Sequence, residues 1–385
     1  MNNFIYENHT KVYFGKDSVS VHLGSLLGNY GGTVMLAYGG GSIRRNGVYD
    51  EVMGILNAAG KRVVEFSRIM PNPTYAKVQE GARLARENHV DLILAVGGGS
   101  VSDCCKVISA QAKLDEDIWE MENTRHTFPM EFIPLGTIVT VFGTGSEMNN
   151  GAVITHEEKK IKGALWGAQA DFAFLDPSYT LSVPMKQVIS GAFDTLSHAM
   201  ETYFGKPDEN NLSDDISEAV MRSVIRNTRV LLTEPENYDA RSELTWASAM
   251  AENGVLKIGK VTDFQCHMIE HQLGAYTNCN HGAGLAVIHP VLYRHIYKSG
   301  ATRFARWAQN VWGIAPKGSE KETALAGIDA LAAFIKEIGL PTTFAELGIP
   351  TDTDFRAIAD STVLTAGCCK KLTHDEIYEI LKECE

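Results

Sequence analysis

Apolar and polar positions follow two regimes along this chain. Up to about residue 180, short apolar runs alternate with amphipathic stretches. Residues 33–38 (TVMLAY), 62–66 (RVVEF), 91–96 (DLILAV), 132–141, 152–155 and 172–175 read as strands. Residues 46–59, 74–88 and 102–113 instead carry apolar side chains at helical spacing. Strands lacking a polar face suit a sheet buried on both sides, and the strand, glycine turn, helix order supplies parallel crossovers. The expected N-terminal domain, 1–180, is α/β: a parallel sheet with helices on both faces. After Pro184 the strand-like runs stop, and 214–232, 239–252, 301–312, 320–338 and 374–384 all read as helices. The segment 181–385 is therefore expected to be an all-α domain.

Composition narrows the class of protein. A chain of 385 residues can bury two sizeable cores, and 44% hydrophobic with 21% charged residues is the balance of a globular protein. A formal net charge of −12 argues against nucleic acid or an anionic membrane as partner. The seven cysteines form no CxxC spacing, and two adjacent pairs, Cys104–Cys105 and Cys368–Cys369, do not resemble a disulfide framework. The N-terminus lacks a basic start followed by an apolar core, and no apolar run approaches the roughly 20 residues of a membrane span. The expectation is a cytoplasmic protein with no membrane partner.

Three glycine-containing turns follow strands in the first half. GGGSVSD (97–103) joins a buried strand to a helix, where Gly97, Gly98, Gly99 and Ser100 would let backbone N–H groups approach an anion. Asp103 falls in the first helical turn, where it suits the helix dipole or could reach a ligand. The spacing is not GxGxxG, and a tight turn without ligand is the plainer reading. YGGGSIRR (38–45) follows a strand where dinucleotide-binding domains often place an acid on the ribose 2′-OH. Here Gly39, Gly40, Gly41 and Ser42 stand beside Arg44 and Arg45, with no acid until Asp50. That leaves room and positive charge for a 2′-phosphate; two solvated arginines are the alternative. Asn72, between Pro71 and Pro73, sits in a rigid turn and could hydrogen-bond ribose or adenine. FGTGSEMN (142–149) is a third such turn, and three in one domain favour a nucleotide.

The second half carries candidate metal chemistry. In GAFDTLSHAMETYF (191–204), Asp194 and His198 are four apart, so a helix points both at one spot. DFQCHMIEHQLGAY (263–276) repeats the spacing with His267 and His271, and a glycine-rich turn, NCNHGAGLAV, delivers His281. Asp194, His198, His267 and His281 would offer three nitrogens and one oxygen, a set suited to Fe²⁺ or Zn²⁺. Solvated helix pairs and a loop histidine are the bland alternative.

With these motifs assembled, the sequence resembles the iron-containing (group III) alcohol dehydrogenase family, in its butanol dehydrogenase and broad aldehyde reductase branch. The resemblance is carried in order by GGGSVSDCCK (97–106), GTGSEMN (143–149), LDP (175–177), GAFDTLSHAMETY (191–203) and HMIEHQLGAYTNCNHGAGLAV (267–287). It implies a dinucleotide-binding α/β domain, 1–180, followed by an all-helical metal domain, 181–385. It implies one divalent metal on Asp194, His198, His267 and His281, and NADP(H), with NAD(H) possible, on Gly97, Gly98, Gly99, Ser100 and Asp103. Asn72, Thr140, Lys162 and Leu181 are further cofactor contacts it implies. The family pattern Pro-Thr-Thr-Ala before GTGSE reads Val139-Thr140-Val141-Phe142 here, a departure beside Thr140.

The expected activity is reversible hydride transfer between a nicotinamide and a primary alcohol or aldehyde such as butanol or butanal, with the metal as Lewis acid. His271 is a candidate proton shuttle or, equally, a partner that orients a metal ligand. A homodimer is implied by resemblance alone. The rival readings are a polyol dehydrogenase of the same superfamily, a metal-dependent hydrolase or lyase without nucleotide, and a nucleotide-sensing module without turnover.

Overall fold

The computed structural model describes residues 1–367 and 369–385, so Cys368 of the second cysteine pair lies outside the described residues. The chain forms two compact units, Glu7–Pro184 and Met185–Glu385, the latter joined by Met1–Tyr6.

The first unit carries eight strands: β1 (Lys11–Phe14), β2 (Thr33–Tyr38), β3 (Arg62–Phe66), β4 (Leu92–Gly97), β5 (Leu135–Val139), β6 (Gly151–His156), β7 (Ile161–Trp166) and β8 (Phe172–Leu175). Its helices are α1 (Ser18–Leu27), α2 (Ser42–Arg45), α3 (Val48–Ala58), α4 (Tyr75–Glu87), α5 (Gly99–Gln111) and α6 (Ile118–Asn123). Six strands make one sheet in the order β1-β8-β5-β4-β2-β3, every pair parallel. Strand β2 shows why both faces are covered. Val34, Leu36 and Tyr38 enter a core with α1 and α3, while Met35 and Ala37 enter a second core with α4 and α5. The expected α/β architecture is the observed one.

Three local readings differ. The run at 152–155 leaves the sheet: β6 pairs antiparallel with β7 as a separate two-stranded ribbon. Edge strand β1 has no fully buried residue, so it lacks the apolar run that marks β2, β4, β5 and β8. Helix α5 begins at Gly99 rather than at residue 102 and takes in part of the glycine turn.

The second unit is helical: α7 (Met185–Tyr203), α8 (Leu212–Thr233), α9 (Tyr238–Glu252), α10 (Gln265–Thr277), α11 (His281–Ile296), α12 (Ala301–Trp312), α13 (Glu320–Glu337), α14 (Phe344–Leu347), α15 (Phe355–Ser361) and α16 (His374–Glu383). Helix α7 is buried at every position from Ala192 to Tyr203, so its polar residues there face protein rather than water. The glycine-rich stretch expected as a turn is the start of α11: Asn280 caps it by accepting from Ala283 N–H at 3.0 Å, and His281 is the first helical residue. Gly282 allows α11 to approach α7, because an added Cβ would lie 2.2 Å from the Ser190 carbonyl oxygen. No helix among the described residues is long and apolar enough to cross a membrane, and none of the described cysteines forms a disulfide.

Candidate active site

In the helical unit, α7, α10 and α11 bring four expected metal ligands together. Asp194 Oδ1 lies 3.6 Å from His198 Nδ1, 3.6 Å from His267 Nε2 and 3.5 Å from His281 Nε2. These are too long for hydrogen bonds. They match the edge of a coordination tetrahedron, about 3.4 Å for bonds of about 2.1 Å. Asp194 Oδ1, His198 Nδ1 and His267 Nε2 are buried without a hydrogen-bond partner. Buried polar atoms left so are costly, and a shared cation would satisfy all of them. By spacing, orphaned atoms and donor chemistry, the residues fit one divalent metal.

The electrostatics agree with that fit. Burial alone would raise the Asp194 carboxyl, but His198, His281 and His267 around it hold it well below the usual carboxylate range. Burial also lowers His198, as expected of an imidazole kept neutral among others. Burial would lower His267 too, yet Glu201 and Asp194 on either side push it up to about 10.

Two carboxylates absent from the expected set stand behind the imidazoles. Glu201 accepts from His267 Nδ1, and Glu270 accepts from His281 Nδ1. Glu201 was readable in principle, because Asp194, His198 and Glu201 follow i, i+4, i+7 on one helix face. His271 is also buried here, its ring 6.0 Å from that of His267 and 5.6 Å from that of His281. Phe264 faces the same rings at 6.0 Å (His198) and 5.1 Å (His267), held at φ 59°. Such a backbone is uncommon for a bulky residue and marks a position over-determined by its surroundings.

The other candidates belong to the α/β unit. Register pairs Tyr38 with Val96 and Gly97 with Val139, so the residues after β2, β4 and β5 leave one end of the sheet side by side. That end carries Gly39, Gly40, Gly41 and Ser42, then Gly97, Gly98, Gly99 and Ser100, then Thr140, whose N–H donates to the Gly97 carbonyl at 2.9 Å. Helix α5 has no side-chain cap at Gly98, which leaves its first N–H groups to other acceptors. Gly99 is required by space, since a Cβ there would lie 2.3 Å from Thr144 Oγ1.

Asn72 follows β3 at φ 52°, in a segment tied to the β2 turn by Arg68 N–H to the Gly39 carbonyl. Leu181 lies in the 3₁₀ turn after β8, and Asn46 beside α2 reaches that turn through Ser182 Oγ at 3.0 Å. Lys162 is buried on β7 opposite Thr155. Asp103 is engaged within the unit, accepting from Ser146 Oγ and from Val153 N–H.

One local reading needs correction. Although no acid follows the first turn in sequence until Asp50, Glu65 stands beside it in space. It accepts from Tyr38 and Tyr49 hydroxyls at 2.6 and 2.8 Å and from Arg44 at 2.6 Å. The Arg44 guanidinium also stacks 3.7 Å from the Tyr49 ring. Arg44 is thus partnered on several sides rather than a loose solvated charge.

Comparisons with known proteins agree with fold and motifs. Residues 9–177 match the model "Iron-containing alcohol dehydrogenase", and residues 188–384 match "Fe-containing alcohol dehydrogenase family, C-terminal". The chain belongs to the iron-containing alcohol dehydrogenase family and is an oxidoreductase. The probable NADH-dependent butanol dehydrogenase 1 of Bacillus subtilis is 39% identical over 99% of this chain and 99% of its own. The NADPH-dependent aldehyde reductase YqhD of Escherichia coli is 36% identical over 91% and 90%. Among solved structures, NADH-dependent butanol dehydrogenase A of Thermotoga maritima superposes with a TM-score of 0.94 at 34% identity, covering 100% of this chain and 99% of that one.

Proposed function

We propose that this protein is a metal-dependent, NAD(P)H-dependent alcohol dehydrogenase that reduces aldehydes such as butanal and oxidises the corresponding primary alcohols. The observation that carries the reading is the convergence of Asp194, His198, His267 and His281, in which the Asp194, His198 and His267 donor atoms are buried without a hydrogen-bond partner and a shared cation would satisfy them.

These four residues would hold one divalent ion, Fe²⁺ or Zn²⁺, since three imidazoles and a carboxylate accept either. Such an ion supplies Lewis acidity, polarising a carbonyl or easing loss of the alcohol proton. The chain's own groups supply the rest. The glycine turn at Gly97–Ser100 and the uncapped start of α5 take the pyrophosphate. Gly39, Gly40, Gly41 and Ser42 take the adenosine ribose, with Asn72, Thr140, Lys162 and Leu181 as further contacts; Asp103 acts through the turns it ties together or directly. His271 would hold or move a proton at the substrate oxygen, or hold a neighbouring ligand in place. Phe264 provides an apolar wall beside the imidazoles for the alkyl chain.

Two cofactor readings stay in play for a specific reason. Arg45 is exposed beside the first turn and favours NADPH, whereas the neutralisation of Arg44 by Glu65 favours NADH. The B. subtilis relative is named for NADH and the E. coli one for NADPH. Polyols are the alternative substrate class, since a 1,3-propanediol dehydrogenase of Citrobacter freundii is 28% identical over 96% of both chains. The family resemblance alone supports a cytoplasmic homodimer, which sedimentation velocity would test.

The functional test is initial-rate reduction of butanal, following NADPH and NADH separately, before and after chelation. Metal-dependent turnover with either is the expected result. Metal-independent turnover, or none with aldehydes or polyols, would sink the reading.

A further inference from the structure

We infer that Glu201 and Glu270 are positioning residues for the metal: each locks one ligand imidazole with its Nε2 toward the ion, and together they set how tightly it is held. The inference rests on the metal reading above.

Glu201 lies one turn beyond His198 on α7, and both its oxygens are used. Oε1 accepts from Cys266 N–H at 2.6 Å, while Oε2 accepts from His267 N–H at 3.2 Å and from His267 Nδ1. One carboxylate thus caps the start of α10 and fixes the ring of a residue in its first turn. Glu270 lies one turn beyond His267 on α10 and is wholly buried. Oε2 accepts from His281 Nδ1, and the Cys279 thiol lies 3.7 Å from Oε1. Its pocket depends on Gly284 of α11, where an added Cβ would stand 3.0 Å from Glu270 Cγ and 3.2 Å from Oε1.

A ring that donates from Nδ1 to a carboxylate keeps its lone pair on Nε2 and gains donor strength. Both rings then aim that atom at one place, 3.6 and 3.5 Å from Asp194 Oδ1. His198 presents Nδ1 instead, so the three imidazoles are held in different ways. Asp194, Glu201 and Glu270 also place three buried carboxylates around three imidazoles, and buried anions are tolerated where a cation balances them. Glu270 matters most where burial helps least, because His281 is the ligand whose side chain is 24% exposed.

The test measures metal retention rather than activity. Apo-protein from wild type, Glu270→Gln, Glu201→Gln and Gly284→Ala is titrated with Co²⁺ and Zn²⁺ against a competing chelator, and each apo-form is melted in parallel. The expected result is a loss of affinity of about 10- to 100-fold for both Gln variants. The visible Co²⁺ spectrum should change, and the apo-form of Glu270→Gln should melt no lower than wild type. Gly284→Ala, which moves the carboxylate without removing it, should lose several-fold, and it decides the question should a Gln variant not fold. Affinities within about two-fold of wild type would overturn the inference, as would lowered melting with unchanged affinity. Wild type that takes up neither metal would overturn the metal reading itself, a distinguishable failure.

Discussion

The two units build candidate sites from different materials. The α/β unit uses backbone: glycines at strand ends, an uncapped helix start and amides at one end of a parallel sheet. The helical unit uses side chains: an aspartate and three histidines on three helices, all but His281 buried, with carboxylates behind two of them. A backbone site depends on where the chain can approach a ligand, so it fails when a side chain intrudes. A side-chain site depends on donor atoms and charge, so it fails when a donor is removed.

His267→Ala should break that contrast hardest, because it removes a ligand from a core that also binds Glu201. Activity should fall at least about a thousand-fold, the scale of several kcal/mol of lost Lewis-acid stabilisation. Elemental analysis should find the metal gone, while fluorescence titration should find cofactor binding within about two-fold. Activity without metal would discard the mechanism.

Chelation of the intact protein should act on one unit. An ion at about a hundred times its dissociation constant adds about 2.7 kcal/mol. Its removal should lower the melting of the helical unit by about 5–10 °C, given roughly 2–4 °C per kcal/mol in a unit of this size. Hydrogen exchange should show α7, α10 and α11 loosening while β2, β4 and β5 hold. Equal loosening of both units would contradict the division of labour.

Gly99→Ala tests the other side. Its Cβ would lie 2.3 Å from Thr144 Oγ1, so the first turn of α5 must shift. Overpacking of this kind costs about 1–3 kcal/mol. The cofactor KM should rise about ten-fold with metal content unchanged, measured by steady-state kinetics and elemental analysis. An unchanged KM would remove this turn from the cofactor site.

The smallest effect concerns pH. Burial pushes the Glu122 carboxyl up to about 7, although it accepts from Trp166 N–H at 2.8 Å. The folded state therefore holds its proton more tightly than the unfolded chain, whose carboxyl has an ordinary pKa of about 4.3. That contribution is present below the unfolded value and is lost as pH rises through about 7. Glu122→Gln, which keeps an acceptor for Trp166, should melt higher than wild type at pH 8 and lose that part of the pH slope. Parallel melting curves from pH 5 to 8 would refute the assignment.

Much of this could be read from the sequence, for definite reasons. Asp194 with His198, and His267 with His271, were legible because a helix repeats every 3.6 residues and their spacing follows that period. Strands β2, β4 and β8 were legible because a sheet covered on both faces needs continuous apolar runs. Strand β1 was not, since a four-residue edge strand has no buried run to betray it. Glu65 was missed beside the first glycine turn because pairing of β3 with β2, in the register Leu36 to Glu65, brings in a residue 21 positions from Arg44.

The sequence by itself determined most of the main strands and helices, the change from α/β to all-α, the family, and which residue types could carry ligand chemistry. These are local properties: periodicity, turn chemistry and residue type are written at consecutive positions. Only the tertiary structure decided what each group faces. It set Asp194 Oδ1 equidistant from three rings, put Glu270 behind a histidine on the next helix, and turned Arg44 from a free charge into a partnered one. Those facts depend on packing between segments distant in sequence. Burial there makes an unpaired donor atom costly, which is what marks these residues as able to hold a cation, and no local pattern records that cost.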